Sequence, residues 1–358
     1  MKAFISSRQA AIIACIMIFA NKVLTLPSLL YEKSKADSIF ILMLMFLVDL
    51  GVLFIFFKLK RGYRDESFFD ILKSKLSTPI AIAVYVLLFV YFFITLLINF
   101  NFTHVYFRVQ VYHDDQELVF LFVAIIIMIS AVIRGLRPFA RTLEFLYIFI
   151  IIGFFACIFI AVSNFKEFPI FFDSNIRDIF GSSYHYAFAF GDILYLFLIM
   201  DRIDLTKNGE KQILKYVLLA MAIVIGGYFM FFSIYQNTVF MHPNAVSDIL
   251  VLSYQTFSIG RLEILAVVII MLLTLGQIGL YAYILSMILM KIFPKMTKIL
   301  SIIIVIVLFY GLYNLFFNNL DVIKYAFTGN IPILALILQY LLPIILLVLT
   351  SKKKKVKA

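Results

Sequence analysis

The chain has 358 residues, of which 64% are hydrophobic and only 14% are charged. Water-soluble domains contain roughly half apolar and a quarter charged residues, so this composition argues against a soluble protein. The formal net charge of +11 comes from 31 Lys and Arg against 20 Asp and Glu. Because the basic residues lie between apolar runs, they indicate membrane topology and contact with anionic lipid rather than a groove for nucleic acid.

Apolar runs of about 20 residues recur along the chain, and each is long enough to cross a hydrocarbon core of about 30 Å. They predict an all-α integral membrane protein with ten transmembrane helices. The first five are expected at residues 10–30, 39–57, 79–100, 118–133 and 143–162. The other five are expected at residues 184–200, 213–239, 259–290, 299–317 and 331–350. Asn99 and Asn101 are expected to cap the third span.

The distribution of Lys and Arg tests the count of ten. Positive residues are retained on the cytoplasmic side of short loops. If the N-terminus is cytoplasmic, most of the 31 basic residues fall on the cytoplasmic side, including those of residues 58–75 and of the tail at 351–358. One helix more or fewer would destroy this alternation. Both termini are therefore predicted to be cytoplasmic, and the short connections leave no room for a soluble domain.

Lys22 is the most informative polar residue within a predicted span. It precedes Pro27, which withholds a backbone donor and crowds the preceding turn. The first span is therefore expected to kink or unwind between Asn21 and Thr25. An ionisable side chain inside the membrane is a candidate for function. Alternatively, Lys22 lies near the outer end of the span and extends to the interface, and Pro27 is an ordinary kink.

The sixth span contains a matching irregularity, in which the flexible Gly191 lies beside the carboxylate of Asp192. Interruptions at corresponding positions of two halves are typical of inverted-repeat transporters, whose ligand site lies near the midplane. The pair therefore predicts one transmembrane domain, 1–358, with a LeuT-like 5+5 inverted repeat, a first repeat at about 8–163 and a second at about 182–350. For Gly191 alone, close helix packing is the alternative explanation.

Four further polar residues are candidates for coupling or gating. They are Asp49, Glu144, Glu263 and Gln277. Asp49 and Gln277 could instead bond a neighbouring helix, and Glu144 could pair with Arg137 or Arg141.

The usual motifs of enzymes are missing from the sequence, which contains no phosphate-binding glycine loop, no His-Glu-x-x-His and no nucleophile elbow. We therefore predict that the protein is not an enzyme and uses no cofactor. The four histidines lack the spacing of a metal site, and both cysteines fall inside apolar runs, so no metal is expected.

Several short segments resemble one family. They are Ser6-Ser7-Arg8-Gln9 before the first span, Leu24-Thr25-Leu26-Pro27 within it, Phe188 to Leu194 in the sixth span, and Gly260-Arg261-Leu262-Glu263 at the start of the eighth. With the ten-span pattern, they make the chain similar to the B subunit of bacterial spore germinant receptors, the endospore germination permeases, which are related to amino acid-polyamine-organocation transporters.

The resemblance implies a receptor subunit in the spore inner membrane that works with an A subunit and a lipoprotein C subunit. It also implies a small nutrient ligand, commonly an amino acid. The family usually has glycines in the broken first helix, where this chain has Ala20, Asn21 and Lys22. Lys22 is therefore expected either to occupy a cation site or to contact an anionic group of the ligand.

The leading hypothesis is a sensor that binds its nutrient between the first, third, sixth and eighth spans. The predicted ligand-binding residues are Asn21, Lys22, Thr25, Phe190, Gly191 and Asp192. Asp192 is expected to pair with Lys22 in the empty site and to be displaced by the ligand. Two alternatives stay open, namely a proton- or cation-coupled amino-acid transporter and a scaffold that has lost ligand binding.

Overall fold

The computed structural model describes residues 4–22, 26–110, 117–167, 175–242, 244–257, 263–316 and 331–352. Most of these residues are helical. The helices are α1 Ser7–Lys22, α2 Leu26–Ser34, α3 Ser38–Gly62, α4 Phe68–Lys75, α5 Thr78–Gln110, α6 Glu117–Arg134, α7 Leu136–Val162, α8 Ile176–Tyr186, α9 Leu194–Leu198, α10 Lys207–Tyr235, α11 Ala245–Phe257, α12 Glu263–Ile292, α13 Lys298–Phe316, α14 Ile331–Leu336 and α15 Leu342–Lys352.

Six helical segments of the described residues are long and apolar enough to cross a membrane. They are Lys35–Gly62, Thr78–Arg108, Leu136–Val162, Asn208–Met241, Ile264–Ile292 and Ile331–Thr350. Three shorter apolar helices are Ser7–Ala20, Val119–Arg134 and Lys298–Asn314. The protein is therefore a multi-pass membrane protein. Every predicted span overlaps helical residues, but the count of ten stays a prediction because the sixth is divided into short pieces.

Of the two predicted interruptions, only that of the sixth span falls entirely on residues that the structure describes. The first span is described as α1 and α2, and residues 23–25 between them lie outside the described part. In the sixth span, α8 continues into a 3-10 turn at Ala187–Ala189 and then stops, because Phe190 is extended. Gly191 follows with a φ of +85°, a conformation that favours glycine, and α9 begins at Leu194.

Some boundaries differ from those predicted. The third span continues through Asn99 and Asn101 to the end of α5, so the prediction that these residues cap it was wrong. Asn101 is buried and Asn99 faces Tyr281 at 3.5 Å, so both amides lie against other protein groups rather than at a helix end. The fifth span begins earlier than predicted, immediately after Gly135, which forms a one-residue turn with a φ of +86°.

Two helices lie in segments that were predicted to be loops. Helix α4 begins after Ser67, whose hydroxyl accepts a hydrogen bond from the Asp70 backbone N–H at 3.3 Å. Phe68, Ile71 and Leu72 are buried while Lys73 is exposed, so α4 is amphipathic. Helix α11 lies between the seventh and eighth predicted spans and packs against α7 and α12.

The centre of the bundle consists of α1 and α12. Helix α1 packs against α10, α7 and α12, and α12 also packs against α5 and α6. At the start of α1, strand Ile5–Ser6 pairs in parallel with strand Ile203–Asp204, in the register Ile5 to Ile203. The Ser7 hydroxyl also donates to the Asp204 carbonyl at 2.9 Å. The N-terminal end of the first span is thus bonded to the residues that follow the sixth.

Candidate functional site

The side chain of Lys22 joins the first span to the break of the sixth span. It is fully buried at the end of α1. Its ammonium forms an ion pair with Asp192, which lies in the break of the sixth span, and donates to the Ala189 carbonyl at 3.1 Å. The Lys22 carbonyl accepts a hydrogen bond from the Tyr228 hydroxyl of α10 at 3.0 Å. The predicted pairing of Lys22 with Asp192 is therefore present in the structure, and both side chains are removed from solvent.

Two aromatic rings complete the surroundings of the Lys22 ammonium. The nitrogen lies 4.8 Å from the centroid of the Phe190 ring and 5.7 Å from that of the Phe46 ring. At these distances the negative faces of the rings attract a cation. The two rings also meet edge to face, with centroids 5.9 Å apart. The positive charge is thus compensated by a carboxylate, a carbonyl and two rings.

The backbone break at Gly191 is packed against Gln339. A Cβ on Gly191 would overlap the Gln339 side chain, so this close approach requires glycine as much as the φ of +85° does. Gln339 Nε2 donates to the Phe190 carbonyl at 2.7 Å and to the Tyr91 hydroxyl. Gln339 belongs to a π-helical segment, Ile337–Leu341, and such bulges occur frequently at functional sites.

Asp49 lies next to this arrangement and is 1% exposed. Its Oδ1 accepts a hydrogen bond from the Tyr340 hydroxyl at 3.3 Å, and its carboxylate interacts electrostatically with both Lys22 and Asp192. Within the described part of the chain, Asp49 Oδ2 has no hydrogen-bond partner, and neither has Gln339 Oε1. Two buried acceptor oxygens beside the ion pair are therefore unsatisfied, which is costly and unusual.

An apolar cavity of about 70 Å³ adjoins Lys22. Its wall includes Phe19 and Lys22 of α1, Phe154 of α7, Val224 of α10 and Ile249 of α11. The cavity therefore lies on the side of the fifth and seventh spans, whereas the ligand was predicted between the first, third, sixth and eighth. Lys22 thus contacts Asp192 and also lines the cavity.

Helix α11 contributes to the cavity wall and is held by polar contacts. Its Ser247 hydroxyl lies 2.5 Å from the Tyr106 hydroxyl of α5. Asp248 accepts a hydrogen bond from the Asn244 backbone N–H at 3.2 Å. Burial raises the pKa of Asp248 to about 6, although this hydrogen bond acts in the opposite direction. Asp248 therefore changes its charge near a mildly acidic pH.

Comparison with known proteins identifies the family to which this chain belongs. A family model described as "Spore germination protein" matches residues 4–321. The chain belongs to the spore germination protein family. No curated protein matches it.

Among solved structures, the substrate-bound outward-open state of a Na⁺-coupled sialic acid symporter is similar to this chain, with a TM-score of 0.58 and 12% identity. The match covers 95% of this chain and 78% of the symporter chain. It shows that this member of the spore germination protein family has a LeuT-like fold. Family and fold are those of permeases and transporters rather than of enzymes.

The structure brings only some of the predicted site residues together. Lys22, Phe190, Gly191 and Asp192 meet at the break, and Asp49 adjoins them. Thr25 and the side chain of Asn21 lie outside the described residues, as does the Glu263 side chain.

The remaining predicted polar residues lie elsewhere in the bundle. Glu144 forms an ion pair with Arg8 of α1 at 2.9 Å and accepts from Gln9 at 3.3 Å, rather than pairing with Arg137 or Arg141. The reason is that α1 passes beside the start of α7. Gln277 donates to Tyr281 one turn further along α12, at 3.3 Å.

Several residues of the site were not predicted from the sequence, namely Phe46, Tyr91, Tyr228, Gln339 and Tyr340. Gln339 carries a detectable sign, because it is a polar residue inside the apolar run 331–350. The aromatic residues carry none, because the chain contains 41 Phe and 20 Tyr.

Proposed function

We propose that the chain is the membrane subunit of a spore germinant receptor that binds a small amino acid and thereby triggers germination. The observation that carries this proposal is the buried Lys22–Asp192 ion pair, which joins the first span to the break of the sixth next to a cavity. Membership of the spore germination protein family supports the biological role.

The opposite charges of the pair suit a zwitterion. If the pair separates, an α-carboxylate can bind the Lys22 ammonium while an α-ammonium binds Asp192. Each charge then keeps a counter-charge, and the buried site gains no net charge. A simple amine or carboxylic acid would leave one buried charge uncompensated, which is strongly unfavourable. We therefore expect the site to discriminate amino acids from their deaminated and decarboxylated analogues.

The cavity beside Lys22 limits the side chain of the ligand. A cavity of roughly 150 Å³ binds benzene, and this cavity, at about 70 Å³, is less than half that size. Its lining by Phe19, Phe154 and Ile249 excludes charged groups. A short aliphatic side chain fits this space best.

The other predicted residues receive roles within the same proposal. Phe190 and Gly191 hold the broken backbone against the ligand, and Asn21 and Thr25 supply polar contacts from the first span. Asp49, Glu144, Glu263 and Gln277 act in coupling or gating. Glu144 is suited to gating because its ion pair with Arg8 joins the start of α1 to α7.

Signalling follows from a difference in affinity between two arrangements of the bundle. The pair holds the two breaks together, and a ligand inserted between Lys22 and Asp192 would separate them. The germinant receptor A and C subunits are the proposed partners that receive this change. The proposed location is the spore inner membrane, with both termini in the cytoplasm.

The test is binding and uptake of labelled amino acids by the purified protein in liposomes, with and without a proton gradient. A panel of short aliphatic amino acids would be compared with the corresponding amines and carboxylic acids. We expect saturable binding of the zwitterions, no accumulation, and loss of binding in Lys22→Ala and Asp192→Asn. Lys215→Ala is a matched control, because Lys215 is exposed in the N-terminal half of α10.

Each outcome distinguishes between the candidate functions. Gradient-dependent accumulation that is lost in Lys22→Ala would identify a coupled amino-acid transporter. Unaltered binding in both variants would refute the role of the pair. No binding even when the A and C subunits are co-reconstituted would favour a scaffold that has lost its ligand.

A further inference from the structure

The charges beside the break of the sixth span do not balance. Lys22 supplies one positive charge, whereas Asp192 and Asp49 supply two carboxylates. All three side chains are at most 3% exposed. An uncompensated carboxylate in a buried site costs several kcal/mol, so such groups are neutralised or paired. We call these three residues the charge cluster.

The hydrogen bonds at this site also lack donors. Asp49 Oδ2 and Gln339 Oε1 are buried acceptors that lack donors in the described part of the chain. Both side chains lie beside Gly191, since Gln339 packs against this residue and the Gly191 backbone N–H faces the Asp49 carboxylate. The missing element of this site is therefore a positively charged donor.

We propose that the charge cluster binds one proton, carried by Asp49. The ammonium of Lys22 contacts Asp192 directly, so Asp192 is the better compensated of the two carboxylates. Asp49 receives the Tyr340 hydroxyl on Oδ1 and faces the Gly191 backbone N–H, and its Oδ2 has no hydrogen-bond partner in the described part of the chain. A proton on Oδ2 makes the cluster neutral and turns one of the two unsatisfied acceptors into a donor.

A proton suits this position better than a metal cation does. The nearby ammonium repels any cation, whereas a proton becomes part of a neutral carboxylic acid. Among the described residues, no group of three His, Cys, Asp or Glu side chains is placed to hold a metal ion. The titratable groups that act on Asp49 are Lys22, Asp192 and Tyr340, and Tyr91 also interacts with it. Tyrosine hydroxyls are neutral at physiological pH, so the balance is set by the three members of the cluster.

This proposal predicts the number of protons that the charge cluster binds. That number equals the number of carboxyl groups in the cluster minus the number of ammonium groups. The wild-type protein should hold one. Asp49→Asn and Asp192→Asn should hold none, since Lys22 then neutralises the remaining carboxylate. Lys22→Met should hold two. The count does not depend on the nature of the ligand, so it stands or falls separately from the proposed function.

The test is infrared spectroscopy of the purified protein in lipid nanodiscs at neutral pH. The C=O stretch of a protonated carboxylic acid is distinct from that of a carboxylate and shifts between H₂O and D₂O. We expect one such band in the wild type that is absent from Asp49→Asn and doubled in Lys22→Met. Asp204→Asn is the matched control, because this carboxylate is exposed and lies outside the charge cluster, so its removal should leave the band unchanged.

A second pair of variants assigns the proton without removing a carboxylate. Asp49→Glu should shift the band and Asp192→Glu should not, because only a protonated side chain contributes to it. A band that shifts with Asp192→Glu alone would overturn the assignment to Asp49. A wild-type spectrum without the band would overturn the proposal that the charge cluster binds a proton. A band that disappears on addition of Na⁺ would also overturn it and would indicate that the cluster binds a metal cation instead.

Discussion

At the scale of single residues, Lys22 is the buried charge around which the candidate site is arranged. Its ammonium is surrounded by the Asp192 carboxylate, the Ala189 carbonyl and the rings of Phe190 and Phe46. All of these groups favour the positive charge. A neutral side chain of similar length would leave Asp192 buried without its cation.

Removal of the Lys22 charge should therefore destabilise the protein. Breaking a buried ion pair from one side costs about 3–5 kcal/mol in general, and proton uptake by the remaining carboxylates would reduce this amount. We expect Lys22→Met to lower the stability and Lys22→Met with Asp192→Asn to recover part of it, as measured by unfolding in detergent. Equal stability of the single and double variants would contradict a coupled pair.

Gly191 is the residue at which a single methyl group should have a large effect. Its φ of +85° disfavours other residues by about 1–2 kcal/mol, and the added Cβ would also overlap Gln339. We expect Gly191→Ala to lower the midpoint of thermal unfolding. Gly181→Ala is the matched control, because Gly181 lies in helix α8 with open space around its Cα and should be neutral or slightly stabilising. A similar midpoint for both variants would refute the strain at Gly191.

At the scale of helices, α11 should respond to pH through Asp248. The unfolded chain holds this proton only below about pH 4, whereas the folded protein holds it up to a pKa of about 6. The stabilisation is therefore complete below about pH 4 and is lost as the pH rises towards 6. His242 lies 3.8 Å from Asp248, and burial lowers the pKa of this imidazole, which reduces its positive charge in the upper part of that window.

Amide hydrogen exchange along α11 measures this effect. Protection should decrease between about pH 4 and pH 6 in the wild type, after correction for the intrinsic pH dependence of exchange. Asp248→Asn should remove the decrease, because an amide does not titrate. An identical decrease in the variant would mean that another group is responsible.

The sequence predicted the helices better than the connections between them. Long apolar runs are sufficient to locate a span, and Gly191 beside Asp192 was sufficient to locate the break of the sixth. Helices α4 and α11 were missed because they are short, and an amphipathic segment of this length resembles a polar loop. The third span was predicted to end early because Asn99 and Asn101 are polar. In the structure the Asn99 amide faces Tyr281 and Asn101 is buried, so the helix continues past both.

The candidate site was predicted only in part, for a related reason. Lys22 and Asp192 are conspicuous because charge is rare in a span. Gln339 lies 149 positions from Phe190 along the chain, and no local pattern connects the two. The same is true of Glu144, whose predicted partners were its neighbours, whereas the bundle brings Arg8 to it.

At the scale of the whole molecule, the topology can be tested with introduced cysteines. Both native cysteines, Cys15 and Cys157, are buried, so background labelling should be low. Ser163→Cys and Lys295→Cys are exposed positions that are predicted on opposite sides of the membrane. In right-side-out vesicles, an impermeant maleimide should label position 163 at once and position 295 only after permeabilisation. Labelling of both positions before permeabilisation would invalidate the predicted topology.

The short parallel ladder between Ile5 and Ile203 restricts how the first and sixth spans can move relative to each other. It bonds the residues before α1 to those after the sixth span, and the same two spans also meet at Lys22 and Asp192. Helix α1 and the residues between Asp192 and Ile203 are thus connected to each other at both ends. We therefore expect these two segments to move together. A displacement of either segment at the ion pair is therefore expected to reach the Ile5–Ile203 ladder through the other segment as well.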